Sequence, residues 1–226
     1  GHIWIMLHSG SRGIGKLTCD YYNNMAEELN RQWYSYQAKE LAFLPTDSAQ
    51  GMEYLEAMRI GMKFAEDNRL HMLEKITDIL GSEFLDMKYE EAIDTHHNYA
   101  NMEHHYNKDY LINRKGAIRA VGKVIVPGSM GSFSYIGEGL QNPESFWSCP
   151  HGAGRRMGRK EATRQFTAEQ VLKEMKENDI ELYKFKKSDV AEECVQAYKN
   201  IDTVMKDSEN LIKPLVKLKP LGVVKG

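Results

Sequence analysis

Large apolar side chains recur at three- and four-residue intervals through two long stretches of the chain. In the first, about Leu17 to Leu44, the recurring residues are Tyr21, Met25, Leu29, Trp33 and Tyr36. In the second, about Met52 to Leu80, they are Leu55, Met58, Met62, Ala65, Met72, Ile76 and Leu80, and Gly81 ends the pattern. Each spacing predicts a helix with one buried face. Pro45 to Gly51 punctuates the two. Ahead of both, Ile3 to Leu7 is an unbroken run of large and β-branched residues, which predicts a buried strand with no polar lead-in, as though it lay in the interior of a larger sheet.

From about residue 107 the pattern turns from helical to β. Tyr110 to Asn113, Ala117 to Val121 and Lys123 to Val126 are short segments separated by Lys115-Gly116 and Gly122, a spacing suited to a meander. Pro127 to Arg159 is glycine-rich with little periodicity, and loops of that length inside a domain tend to be functional. Thr167-Ala-Glu-Gln170 is a capping-box sequence that opens a helix running to about Asn178. A last helix is predicted from about Asp189 to Ile212, halted by Pro214, and the tail Leu215 to Gly226 alternates as a terminal strand would. The class is therefore α+β, with mixed sheets packed with long helices. Residues 1–226 read as one domain that lacks an N-terminal portion, with no repeat and no flexible linker.

Composition narrows the possibilities. At 226 residues and 42% hydrophobic content the chain can bury a substantial core, which excludes collagen-like, disordered and disulfide-stapled classes. Lys and Arg number 30 against 32 Asp and Glu, so bulk charge gives no argument for polynucleotide binding, although a local basic patch is compatible with it. Cys19, Cys149 and Cys194 are too scattered for a disulfide framework or a zinc knuckle. No apolar run is long enough to span a bilayer and no signal peptide is recognisable, so the expectation is a cytoplasmic protein.

Candidate chemistry gathers at five places. Four of the eight histidines lie in His96-His97-Asn98-Tyr-Ala-Asn-Met-Glu103-His104-His105, a segment that could ligate a metal or could simply be a solvated polar stretch. His8 follows the first apolar run and faces Ser9-Gly-Ser-Arg12-Gly-Ile-Gly15, a loop whose N–H groups, hydroxyls and arginine suit an anion ahead of a helix. Pro127-Gly-Ser129-Met-Gly-Ser-Phe-Ser134 is a second such loop. In the third, His151-Gly-Ala153-Gly154-Arg155-Arg-Met-Gly-Arg159, a histidine among small residues is a candidate nucleophile or acid/base. Arg155 and Arg159 would share a face if that segment were helical. Arg114, Lys115 and Arg119 add a basic hairpin. Together these features point to phosphate-rich ligands handled with a metal.

Four stretches resemble the RtcB RNA ligases: Trp4 to Gly15, His96-His-Asn-Tyr99, Arg114-Lys-Gly-Ala117 with Pro127-Gly-Ser-Met-Gly131, and His151-Gly-Ala-Gly-Arg155. The closing Gly222-Val-Val-Lys-Gly226 is also similar to the family's C-terminus. The resemblance implies a GTP- and manganese-dependent ligase. It would join an RNA 3′-phosphate or 2′,3′-cyclic phosphate to a 5′-hydroxyl through a histidine–GMP intermediate, on tRNA halves or broken RNA ends. Carried over residue by residue, His151 is the guanylylated histidine, Lys115 acts with it at the reacting phosphates, and His8 and His97 are metal ligands. Asn98, Ser129, Ser134, Ala153, Gly154, Tyr198 and Lys225 contact the guanine nucleotide, with Tyr198 stacking on the base. Arg12, Arg155 and Arg159 contact RNA or phosphate.

The family also carries an upstream Asp-x-x-Cys pair, a further metal-binding histidine and a Gly-Asn-His-Phe-x-Glu motif, none of which occurs in this sequence. Two histidines supply fewer ligands than manganese prefers, so weakened metal binding and little ligation are expected of the chain as written. Two other readings stay open: a phosphate-, nucleotide- or RNA-binding fragment without turnover, and a metal-dependent phosphohydrolase.

Overall fold

The computed structural model describes residues 2–38, 41–84, 86–184 and 190–225. It has mixed α and β content, as the sequence pattern requires, and divides into two compact units, residues 1–94 and 95–226.

The first unit is a helical hairpin, α1 Gly13–Gln32 and α2 Ala49–Glu83. Both helices exist where the periodicity puts them, but α1 stops at Gln32 rather than near Leu44. Beyond that point the buried amide of Asn30 binds the backbone: its Nδ2 donates to the Phe43 carbonyl (2.9 Å) and its Oδ1 accepts from the Phe43 N–H (3.0 Å), so Phe43 is held beside the helix. The buried side of α1 is made by Ala26 and Asn30, whereas Tyr21, Trp33 and Tyr36 of the predicted face are exposed. α2 keeps to its predicted stripe through Ala65. It starts at Ser48, whose hydroxyl accepts the Gly51 N–H (3.0 Å) and so satisfies one of the donors a helix start leaves over. Residues 3–7 form no strand: Ile3 is 82% exposed, and the run has no ladder partner among the described residues. An apolar run becomes a buried strand only when a neighbour supplies its hydrogen bonds.

Among its described residues the second unit holds nine strands. β1 Asn98–His105 and β2 Lys108–Lys115 form an antiparallel hairpin closed by Tyr106 and Asn107, both at positive φ as a tight two-residue turn requires. The Tyr106 hydroxyl donates to the Pro143 carbonyl (2.7 Å) and ties down the hairpin tip. β3 Ala117–Arg119 pairs with β6 Ser148–Pro150, and β4 Val121–Val126, β5 Ser134–Leu140 and β8 Ile212–Leu218 make a three-stranded antiparallel sheet. β7 Glu181–Lys184 and β9 Gly222–Lys225 pair in parallel. The helices of this unit are short: α3 Arg159–Gln165, α4 Ala168–Glu177 and α5 Ile201–Asp207. α4 opens on the predicted capping box of Thr167 and Gln170, with both reciprocal bonds present.

The C-terminal part differs from expectation. The helix predicted from Asp189 begins outside the described residues. Within 190–212 the chain makes short 3-10 turns and then only α5, capped by the Asn200 side chain. Pro214 does not terminate a helix. It lies in β8, a strand paired on one side only, opposite the irregularity at Ile136/Gly137, where a missing N–H costs no ladder bond. The core is built in two clusters. One gathers Ile118, Ala120, Val124, Val126, Cys149, Ala153, Ile201, Met205 and Ile212, and the other Ala162, Val171, Met175, Ile180, Val190, Cys194 and Ala197, with Tyr198 packed against both.

Candidate functional site

In the first unit His8 and Arg12 lie on an exposed loop that the sequence of α2 holds in place. Asn68 donates to the Ser9 hydroxyl (2.8 Å), and Arg69 donates to the Ser9 carbonyl (3.2 Å) while its Nε and Nη2 grip both oxygens of Asp94 (2.6 Å each). Arg12 sits at φ 54 immediately before α1, and the Ser11 hydroxyl accepts the Gly15 N–H (3.1 Å), so the glycine loop supplies its own helix start. Asn68 and Arg69 are positioning residues that sequence reasoning missed, because their partners are about sixty residues away.

In the second unit the candidates converge around His151. The β1–β2 hairpin begins with His97-Asn98 and ends with Lys115-Gly116, so antiparallel pairing alone brings these four residues together. The Gly116 N–H donates to the His97 carbonyl (2.7 Å) and also to the Asn98 Oδ1 (3.1 Å), closing that end. β6 delivers His151 to the same place: its ring centroid is 5.0 Å from that of His97, with the planes tilted by 31°. Gly116, at φ +68, passes so near that a Cβ there would stand 3.2 Å from Cε1 of His151. Only glycine combines that backbone angle with that approach. His97, Asn98, Lys115 and His151 are therefore one group, with Asn98 and Lys115 exposed and both rings half-buried.

The loop 127–134 lies beside this group. The Ala153 N–H donates to the Pro127 carbonyl (2.9 Å), the Ser134 hydroxyl accepts the Gly128 N–H (3.0 Å), and the buried Ser129 bonds Ser132 through its hydroxyl (3.0 Å). On the other side, residues 154–156 run along 197–199: the Lys199 N–H donates to the Gly154 carbonyl (2.9 Å), the Arg156 N–H to the Ala197 carbonyl (2.9 Å), and Arg155 bridges Tyr198.

A second charged group is built on that bridge. The Arg155 guanidinium lies 4.9 Å over the Tyr198 ring and donates to its hydroxyl (3.1 Å), to the Met157 carbonyl and to the Glu192 carbonyl. The Tyr198 hydroxyl donates to Glu193 (2.7 Å), whose carboxylate also receives the Lys225 ammonium (3.2 Å) from β9. Burial alone would raise the Glu193 pKa, but Tyr198, Lys225 and Arg155 together hold it below the ordinary carboxylate value. Burial, then the hydrogen bond to Glu193, pushes the Tyr198 phenol up to about 12. Tyr198 and Lys225, predicted separately, thus meet on Glu193, which the sequence did not single out.

The arginine expectation needs correction in one respect. α3 begins at Arg159 itself and Arg155 stands outside it, so the two do not share a helical face. Gly158 with extended backbone starts the helix only there. Both arginines instead line one open depression with Arg156, Met157, Gly158 and Glu161.

Cys149 is buried with its thiol pushed up to about 12 by burial, which leaves it a core residue. Among the described residues no group of three or more His, Cys, Asp or Glu side chains is close enough to hold a metal ion, and no helix is long and apolar enough to cross a membrane.

The sequence profile of a family described as tRNA-splicing ligase RtcB matches residues 1–226. The chain is 36% identical over 236 residues to an RNA-splicing ligase RtcB of Escherichia coli, covering 99% of this chain and 56% of that protein. It is 32% identical over 254 residues to a tRNA-splicing ligase RtcB of Thermococcus kodakarensis, covering 100% and 53%. A Pyrococcus horikoshii tRNA-splicing ligase RtcB matches at 32% over 255 residues, covering 100% of this chain and 29% of that protein. The chain spans about half the length of the first two relatives, or less for the third.

Proposed function

The chain belongs to the RtcB family of tRNA-splicing ligases, and on that premise we propose that it carries the guanylylation centre of a GTP-dependent RNA ligase, with His151 as nucleophile. An imidazole nitrogen of His151 attacks the α-phosphorus of GTP. The N–P bond forms as the bond to the β-phosphate oxygen breaks, and pyrophosphate leaves. GMP then passes to an RNA 3′-phosphate, and a 5′-hydroxyl displaces it to complete the phosphodiester. A neutral imidazole is a good nucleophile toward phosphorus and a good leaving group once protonated, which suits both halves of the sequence.

The observation that best supports this reading is the setting of His151: an imidazole with glycine main chain at its Cε1, a second imidazole 5.0 Å away, and Lys115 and Asn98 at the adjoining strand ends. Glycine leaves room for a phosphate to approach the ring, and Lys115 would offset charge on the reacting phosphates. Ser129, Ser134, Ala153 and Gly154 line the approach to the nucleotide. Tyr198, its orientation held by Arg155 and Glu193, is the candidate stacking residue for the base. Arg12, Arg155 and Arg159 serve RNA or phosphate contacts in this scheme. Arg155 also grips Tyr198, which uses three of its five N–H donors on protein oxygens.

Manganese, when bound, would polarise the phosphates, and His8 and His97 are its candidate ligands. Among the described residues neither is part of a group of three or more donors, so this donor set falls short of a manganese site and no step of the proposal runs through the metal. That shortfall favours one second reading, a nucleotide-binding portion without turnover by itself. Incubation with labelled GTP and Mn²⁺ separates the two. An acid-labile adduct absent from His151→Ala supports the ligase, and equal labelling of His151→Ala removes the nucleophile assignment.

A further inference from the structure

Beside the His151 group lies a buried charged cluster that the proposed chemistry does not use. Arg114 and Glu103 have side chains 1% and 2% exposed, and His105 is buried with them at 2%. The five N–H donors of a guanidinium are fully matched here. Nε donates to the Ser148 hydroxyl (3.0 Å). Nη1 donates to the Tyr99 hydroxyl (3.2 Å) and Glu103 Oε1 (2.5 Å), and Nη2 to Glu103 Oε2 (3.0 Å) and the Phe146 carbonyl (2.9 Å). Glu103 Oε2 also meets Nε2 of His105 (3.1 Å), whose ring packs edge-on against Phe146 and Trp147.

The partners divide by element. Tyr99 and Glu103 are on β1, so they belong to the hairpin with Arg114 itself. Ser148 opens β6, three residues before His151, and Phe146 lies just ahead of it. Along the chain one residue, Gly116, joins the hairpin to the β3–β6 pair, and a glycine at positive φ does not fix an angle between two sheets, while the Tyr106 bond to Pro143 ties only the far tip. Placing the only buried guanidinium among the described residues across that joint fixes it, because a fork of five directed bonds is satisfied in one arrangement.

We propose that Arg114, held by Glu103, is a positioning residue: it locks the β1–β2 hairpin against β6 and so sets the distance of His97 and Lys115 from His151. The bearing of this geometry on catalysis rests on the guanylylation reading above, whereas the geometry itself does not.

The test uses the whole chain and two readouts. The first is the nuclear Overhauser cross-peak between ring protons of His97 and His151, and the second is the rate of GMP labelling of His151. The double variant Glu103→Leu/Arg114→Met removes both buried charges together, so it leaves no orphaned ion and keeps the volume filled. It is expected to unfold cooperatively like the parent, to lose the cross-peak, and to label about a hundred-fold more slowly in kcat with little change in KM. Ser148→Ala leaves the ion pair intact but takes the acceptor from Nε of Arg114, and it is expected to weaken the cross-peak with only a modest fall in melting temperature. A folded double variant that keeps the parental cross-peak overturns the proposal. Should the double variant fail to fold, an unchanged cross-peak in Ser148→Ala overturns it instead. If the parent takes no label while the variants still lose the cross-peak, the guanylylation reading fails and the positioning role stands.

Discussion

His97 and His151, ring centroids 5.0 Å apart, both meet one glycine: His97 through the bond its carbonyl receives from Gly116, His151 through the close approach of its Cε1 to the same residue. Gly116→Ala should therefore be felt by both rings. The left-handed backbone angle costs about 1–2 kcal/mol for an alanine, and the added methyl also presses on His151. Denaturant unfolding should show a loss of that order, and GMP labelling of His151 should fall much further than the stability change accounts for.

Tyr198 and Glu193 make a prediction that optical titration can read. With its phenol pushed up to about 12 by burial and by Glu193, Tyr198 should ionise well above an ordinary tyrosine in near-ultraviolet absorbance. Glu193→Gln removes the carboxylate and should bring that transition down while loosening Lys225. Affinity for GTP should weaken in the same variant, because the ring loses one of its two anchors.

Acid stability follows from two carboxylates. Burial would raise Glu103, but its bonds to Arg114 and His105 hold its pKa low, and Glu193 is lowered in the same sense. A carboxylate depressed on folding contributes stability that is fully present above its unfolded value of about 4.3 and is lost as the pH falls through the folded value. Unfolding midpoints should be flat above about pH 5 and fall steeply below about pH 4. Glu103→Gln, which leaves Arg114 buried with a neutral partner, should be less stable at neutral pH and should show a shallower acid limb.

Thiol reactivity should sort the three cysteines by position. Cys19 is exposed on α1, whereas Cys149 and Cys194 are buried. Iodoacetamide on the native chain should modify Cys19 alone, with Cys149 and Cys194 reacting only in denaturant, as mass spectrometry of the digested chain would show. Rapid native modification of Cys149 would mean that β6 opens beside His151.

How much of this was written legibly in the chain depends on the reach of each interaction. The Thr167/Gln170 capping box was readable because all its partners lie within three residues. The grouping of His97, Lys115 and His151 was suggested by motif order, but only strand register brings the first two together. β1 was hidden because its polar histidines and asparagines lack the β-branched pattern, and its strand character comes from pairing with β2. Proline signals two things, a helix stop and an unpaired strand edge, and at Pro214 the second applies. Least legible was Arg114. Composition places arginine on the surface, and only the coincidence of five acceptors, two of them more than thirty residues away, makes its burial tolerable.

The hairpin is also a beam. Its strands of eight residues make an arm about 26 Å long, at about 3.3 Å per residue, so a rotation of about five degrees at Gly116 would carry the tip roughly 2 Å. It is fastened near the pivot by Arg114 and at the far end by the bond from Tyr106 to Pro143. A beam pinned at both ends cannot swing, however its middle flexes. Releasing Tyr106 should loosen the tip and spare the histidines, while releasing Arg114 moves the fulcrum on which they sit.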